Sequence, residues 1–332
     1  MRQQRASSGR PAQPEPVGPP GTDYGDDTPQ HKESGEFFLA RYRAIEPEIT
    51  LIDGKSVRQA LRVNTSKVSV HDLAQEMTSR GAALERIPFL RNGLFATAAY
   101  SLGATPEYLL GYYYLQAPLS QLVCEVLDPH LGATVLDMAS APGGKTTYLA
   151  TMVGDTGRVI ALDNDTSRLA SVRNNAERLG VANVLCVKKD ARFASDFGAL
   201  FSHVLLDAPC SGNYCSDEEW FGKRRIEDIR ENARTQRELI KAAVVCLAPG
   251  GRLVYSTCSL EPEEDELVID WLLKRFPELD IIALNSIPIG DSGAMSWDGQ
   301  VLDPRVAGTR RFWPHKTGME GFFIALLQKR KD

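Results

Sequence analysis

The 332-residue chain contains no Cys-x-x-Cys pair, which removes the usual spacing of a structural zinc site, and no bound metal is expected. No apolar run is long enough to span a bilayer, and the basic, proline-rich N-terminus lacks the apolar stretch of a signal peptide. A cytoplasmic protein without a membrane partner is therefore expected. Positive charge is not in excess: 38 Lys and Arg face 43 Asp and Glu, a net charge of −5. That excludes a globally basic nucleic-acid binder, so any contact with RNA or DNA needs a local patch. The six cysteines are even in number, but a long chain without a leader gives no reason to expect a disulfide framework. No internal repeat is found.

What is present is enough apolar sequence for a real core and a length that suits two domains. Residues 1–34, rich in Pro, Gly, Gln and Ser, are expected to form a disordered tail. A small α/β domain is expected over 35–111. Its strands fall at 60–64, 83–86 and 93–96, and a helix capped by Ser69 runs to residue 80. A helical pattern over 105–127 breaks at 112–116. In the remaining domain, 112–332, strands are predicted at 134–137, 158–163, 184–187, 203–206, 252–255, 280–283 and 321–327. Helices are predicted at 145–153, 167–179, 226–247 and 263–276. This alternation predicts an α/β fold with a mostly parallel sheet covered on both faces, its last strand antiparallel.

The strand ending at Asp137 runs into Ala139-Ser140-Ala141-Pro142-Gly143-Gly144-Lys145-Thr146 and then a helix. Glycines here let a ligand approach the backbone and the N–H groups of a helix N-terminus. Two ligands compete. A nucleoside triphosphate would use Gly144-Lys145-Thr146, but the P-loop pattern wants Gly at position 139, where Ala stands. S-adenosylmethionine would use an acid at the end of the second strand for its ribose hydroxyls and another after the third for its adenine; Asp163 and Asp190 fit. The alternative for each acid is a helix or turn cap. Together, in register with the loop, they favour S-adenosylmethionine.

Cys124, Cys186 and Cys246 lie in apolar periodic segments and read as small core residues, while Cys215 reads as an exposed loop residue without a role. Cys210 and Cys258 differ. Each follows a strand end, in Asp207-Ala208-Pro209-Cys210-Ser211-Gly212 and Tyr255-Ser256-Thr257-Cys258, and so reaches the ligand crevice. A thiolate adding to C6 of cytosine would make C5 nucleophilic enough to take a methyl group, with Asp207 near N3 and the second thiol assisting release. Lys145 is the nearest cation by topology to lower a thiol pKa.

These motifs, with Arg62-Val63-Asn64-Thr65, Tyr114-Leu115-Gln116 and Arg311-Phe312-Trp313-Pro314-His315, occur in the order found in the NOP/Sun family of RNA cytosine-5 methyltransferases, which the chain resembles from about Phe38 to Lys331. The resemblance is nearest to the compact archaeal members acting on tRNA. It implies a seven-stranded Rossmann-like methyltransferase sheet preceded by an RRM-like, RNA-binding small domain. It assigns Cys258 as nucleophile, Cys210 to product release, and Asp207 to the target base. Residues Ala139 to Lys145, with Arg168, would join the cofactor site. The implied substrate is tRNA, with ribosomal RNA as the alternative, and a monomer is expected. A non-catalytic RNA-binding module is the further alternative, but it would not need both cysteines and Asp207. Basic clusters at Arg58/Arg62/Lys67, Lys223-Arg224-Arg225 and Arg310-Arg311/His315/Lys316, with Trp220, Phe312 and Trp313, are candidate RNA contacts that compete with ordinary surface and core roles.

Overall fold

The computed structural model describes residues 35–331, and the expected tail at 1–34 lies outside the described residues. Four short strands come first: β1 (Ala60–Val63), β2 (Ala83–Arg86), β3 (Gly93–Thr97) and β4 (Tyr113–Leu115). They form an antiparallel sheet in the order β2-β3-β1-β4. Helix Val70–Ser79 follows β1 and helix Pro106–Leu109 precedes β4, giving a β-α-β-β-α-β arrangement. Ser69 caps the first of these helices by accepting the Asp72 N–H at 3.0 Å. The helical pattern over 105–127 is divided by a true strand, because the aromatic run at Tyr113 and Tyr114 pairs with β1. Helix Pro118–Leu127 follows.

The large sheet is built from β5 (Thr134–Asp137), β6 (Arg158–Asp163), β7 (Val184–Lys188), β8 (Phe201–Asp207) and β9 (Leu247–Thr257), then β10 (Leu279–Ile281), β11 (Asp291–Ser292), β14 (Arg310–Phe312) and β15 (Phe322–Lys329). Between β11 and β14 lies a separate hairpin, β12 (Ser296–Trp297) and β13 (Gln300–Val301). All seven expected strands are in the sheet; β11 and β14 extend its edge to make nine. The strands β7-β6-β5-β8-β9 are parallel, and β15 is antiparallel to β9 as expected. Val135, Leu136, Val204, Leu205, Leu253 and Val254 are fully buried, as central strands covered on both faces require. The chain winds from β5 towards β7, then in the opposite sense from β8 towards β9. The crevice at the strand carboxyl ends therefore opens between β5 and β8.

The small sheet is fastened to this crevice by the Arg62-Val63-Asn64 segment. Arg62, 4% exposed, donates to the Gly144 carbonyl at 2.6 Å, to the Thr147 hydroxyl at 3.0 Å and to Gln116. Burial pushes its guanidinium down to about 10. Asn64 donates to the carbonyls of Gly111 and Leu179, and Lys67 to those of Leu110 and Arg178 at the carboxyl end of helix Thr166–Leu179. Gly111 has φ +75°, and a Cβ there would collide with the Arg178 carbonyl.

After β9 comes a run of acids, Glu261, Glu263, Glu264, Asp265 and Glu266, at the start of helix Glu266–Arg275. All but Glu263 are fully buried. Arg41, from helix Gly35–Ile45, reaches Glu261 at 2.8 Å and Glu263 at 2.6 Å. Arg311 on β14, 1% exposed, reaches Asp265 at 3.1 Å and both Glu266 oxygens, and donates to the Leu260 carbonyl at 2.8 Å. Removing one partner of a buried ion pair strands the other. Arg311→Met is therefore expected to destabilise the fold by about 3–5 kcal/mol, measured by urea unfolding; a loss below about 1 kcal/mol would show that the acids find other partners.

Candidate active site

The loop after β5 turns at Gly143, whose φ is +108° and whose Cβ would press on the Val172 backbone at 3.0 Å. This close approach seats helix Gly144–Val153 against helix Thr166–Leu179. Thr146 donates to Asp137 at 2.6 Å, and burial pushes the Asp137 carboxyl up to about 6. Lys145 points to Asp207 at 2.7 Å. The Lys and Thr that a triphosphate would need are thus turned to the protein's own carboxylates.

A cleft of 490 Å³ lies over the strand ends, and Ala139, Ala141, Asp163, Arg168, Asp190, Asp207, Cys210 and Cys258 line it. A 240 Å³ pocket adjoins it, lined by Ser140, Pro142, Gly144 and Lys145, and shares Ala139, Ala141 and Asp207 with the cleft. Every expected site residue lines one or both except Gly143, which shapes the turn. Asp163, 5% exposed, accepts the Asp165 N–H at 3.0 Å and lies 3.5 Å from Arg168. It does not cap the following helix; Asp165 does. Asp190 does cap, accepting the Arg192 N–H at 3.0 Å, and pairs with the Arg192 side chain at 2.6 Å while lining the cleft. Hydrogen bonding to Arg192 holds its carboxyl below the ordinary range. The capping reading thus applies to Asp190, which also lines the cleft. The Ser140 hydroxyl is buried without a partner.

The two cysteines meet: Cys210 Sγ and Cys258 Sγ are 3.2 Å apart, just past the ends of the adjacent parallel strands β8 and β9. Contact with Cys258 and then burial push the Cys210 thiol well up, and the charge of Glu264 adds to this. Asp207 takes the Lys145 ammonium on one oxygen and the Ser256 hydroxyl, at 2.7 Å, on the other. Burial pulls the Lys145 ammonium down, but the Asp207 carboxylate outweighs it and the net direction is up. Lys145 is therefore a held cation beside the thiols.

Several partners of this site were not legible as such. Gln236 donates to the Pro209 carbonyl at 2.9 Å, and Asn213 to the Cys258 carbonyl at 2.7 Å. Glu264 accepts from Ser211. Burial pushes Glu320, near Lys145 and Asp207, up to about 7. A dense run of acids directly after Cys258 was the available signal, since one strand end seldom carries so many unless they are paired.

The expected RNA-facing clusters are largely consumed inside the protein. Arg62, Arg310 and Arg311 are buried, Arg58 pairs with Glu85 over the Phe95 ring, and Lys316 pairs with Glu46 and Asp291. Lys223 pairs with Asp217 and Arg225 with Asp228. Trp220, Phe312 and Trp313 are core, and Cys215 is half-buried against the cluster around Phe38 and Trp220. Among the described residues no cluster of three His, Cys, Asp or Glu side chains is placed to hold a metal ion. No described helix is long and apolar enough to cross a membrane.

Known proteins share this arrangement. A family model described as 16S rRNA methyltransferase RsmB/F matches residues 124–328, and one described as the N-terminal domain of 16S rRNA methyltransferase RsmF matches residues 47–118. The chain is 36% identical to the 28S rRNA (cytosine-C(5))-methyltransferase of Mus musculus, over 89% of this chain and 39% of that protein. It is 35% identical to ribosomal RNA small subunit methyltransferase F of Klebsiella pneumoniae, over 89% of this chain and 63% of that one. The chain thus spans less than two thirds of either relative. A methyltransferase homolog from Pyrococcus horikoshii superposes with a TM-score of 0.80 at 35% identity, over 89% of this chain and 95% of that one. NSun6 from the same organism, solved with SFG, gives 0.75 at 28% identity, over 88% and 97%. The sheet, the paired thiols and the matching family model lead to one assignment: the chain belongs to the RsmB/F methyltransferases, within the NOP/Sun family of RNA cytosine-5 methyltransferases.

Proposed function

We propose that this protein methylates C5 of cytosine in RNA, using S-adenosylmethionine, with Cys258 as nucleophile and Cys210 assisting release. The observation that carries the reading is the 3.2 Å thiol pair beside the Lys145–Asp207 ion pair, at the wall shared by the cleft and its adjoining pocket. The cofactor, when bound, supplies an electrophilic methyl group. The residues present suit it. Asp163 offers a buried carboxylate for a ribose diol, Asp190 lies at the adenine end, Ala139 to Ala141 line both cavities, and the unpartnered Ser140 hydroxyl is available to a polar group. SFG, the analogue found with NSun6, is consistent with this.

The chain's own steps follow from the geometry. The Cys258 thiolate forms a bond to C6, and electron density moves towards C5 and the N3–O2 edge of the ring. Lys145 is the cation placed to donate to that edge. Asp207 orients Lys145 and can accept from the exocyclic amine. Once C5 carries the methyl group, its proton passes to a water molecule, the C5–H electron pair forms the C5=C6 double bond, and the C6–S bond breaks with its pair returning to sulfur. Cys210, a protonated thiol in contact with Cys258, is the group that assists this release. The base must leave its stack to enter such a cleft.

For phosphate contacts we propose Arg230 and Arg234. They are exposed, pair with no acid among the described residues, and lie on helix Ile226–Cys246, whose Thr235 lines the cleft. The mouse and Klebsiella relatives are named for ribosomal RNA, which favours that substrate; tRNA, implied by the resemblance to compact archaeal members, is the other candidate. Bisulfite mapping of both RNAs from a deletion strain separates them.

Cys258→Ala is expected to abolish methyl incorporation, whereas Cys210→Ala is expected to trap protein on RNA as an adduct stable on a denaturing gel. Retained turnover in the first would end the covalent scheme. Asp163→Ala should weaken S-adenosylmethionine binding by about 10- to 100-fold in calorimetry, as loss of hydrogen bonds to a charged group implies. Unchanged affinity would place the cofactor elsewhere. Arg230→Gln with Arg234→Gln should raise KM for RNA and flatten the salt slope by about 0.7 for each lost contact, leaving cofactor affinity unchanged.

A further inference from the structure

Within the acidic run, Glu264 stands apart. Glu261 and Glu263 meet Arg41, and Asp265 and Glu266 meet Arg311, but Glu264 is fully buried and has no cationic partner among the described residues. Its partners are neutral donors. The Ser211 N–H donates to it at 3.0 Å and the Ser211 hydroxyl at 2.7 Å. The Glu264 carboxyl stands near Ser259 and Asn232, and the Ser211 and Ser259 hydroxyl oxygens are 3.3 Å apart. Ser211 directly follows Cys210, and Ser259 directly follows Cys258. The carboxyl therefore holds the residue after Cys210 directly and reaches the residue after Cys258 through the Ser211 hydroxyl. A buried acid with no counter-charge is a costly way to fill space, and the hydrogen bonds it accepts come from Ser211.

We propose that Glu264 is the positioning residue of the thiol pair, clasping the Cys210 loop to the Cys258 loop and so setting the 3.2 Å separation of the two sulfurs. Other anchors share this stretch: Trp220 donates to the Ser211 carbonyl at 2.8 Å and Asn213 ties the Cys210 loop to Cys258, while Glu264 accepts the Ser211 N–H and hydroxyl. Gln236 fixes Pro209, and Asn213 bridges the Cys258 and Gly321 carbonyls. Without Glu264, the peptide after Cys210 loses its acceptor and the sulfurs part. The effect on turnover rests on the proposed methyl transfer; the separation itself does not.

Two measurements test this in the full chain: the rate at which diamide, taking up both thiol hydrogens, closes a Cys210–Cys258 disulfide, followed by mass spectrometry, and kcat against KM on RNA. Glu264→Ala is expected to slow disulfide closure by about tenfold or more and to lower kcat on the order of 100-fold, with KM for RNA and cofactor affinity unchanged. Glu264→Gln, which keeps one acceptor oxygen, should recover part of both. Unchanged closure in a folded Glu264→Ala protein overturns the proposal, as does a fall in kcat accompanied by equal loss of cofactor binding. If Glu264→Ala does not fold, Ser211→Ala removes only the hydroxyl contact: slower closure then supports the clasp and unchanged closure overturns it. Should the wild-type chain methylate no RNA, the functional reading fails while the disulfide rates still decide the clasp.

Discussion

Charge buried at the turn after β9 is the constraint from which the site takes its shape. Of four fully buried acids in six residues, Glu261, Asp265 and Glu266 are held by Arg41 and Arg311 and Glu264 by Ser211, because an ion removed from water must recover its solvation from partners. Those two arginines come from opposite ends of the described chain. Arg41 lies on the first described helix and Arg311 on a late strand. The segment after Cys258 is thus the meeting point of distant parts of the chain, and its backbone has little room to relax. Rigidity of this kind suits the proposed bond between the Cys258 sulfur and the target base.

A second set of buried polar contacts works on the other side of the crevice. Arg62 and Asn64 belong to the small sheet, yet their hydrogen bonds end on Gly144, Thr147 and Leu179. The face of the sheet that carries Ala60 and Phe95 packs into the same core cluster as Leu119, Leu122 and Tyr148. That face is therefore spent on holding the Gly loop, unlike the open face on which an RRM stacks bases. RNA must then meet other surface.

Much of this was legible in the sequence, and the reason differs by region. The seven strands announce themselves as short apolar runs between polar turns, and the site residues follow because strand carboxyl ends converge in a parallel sheet. Ser69 is read as a cap because its chemistry is local. The failures are all non-local. Arg62, Arg311, Trp220 and Trp313 look like RNA contacts when read along the chain, because no pattern in the sequence shows which acids or apolar neighbours will close over them. The strand at Tyr113 reads as a flaw in a helix until β1 supplies its partner. Glu264 is unreadable for the same reason: its meaning lies in Ser211, more than fifty residues away.

The reach of Arg62 into the Gly loop has a consequence for how variants of this protein are interpreted. A substitution at Arg62 maps to the segment matched by an N-terminal family model, and a gene map would file it as a defect of substrate recognition. Its nearest chemistry is the peptide beside Lys145, so the lesion belongs genetically with those of the cofactor loop. Position along the chain and place in the mechanism are, for this residue, different addresses.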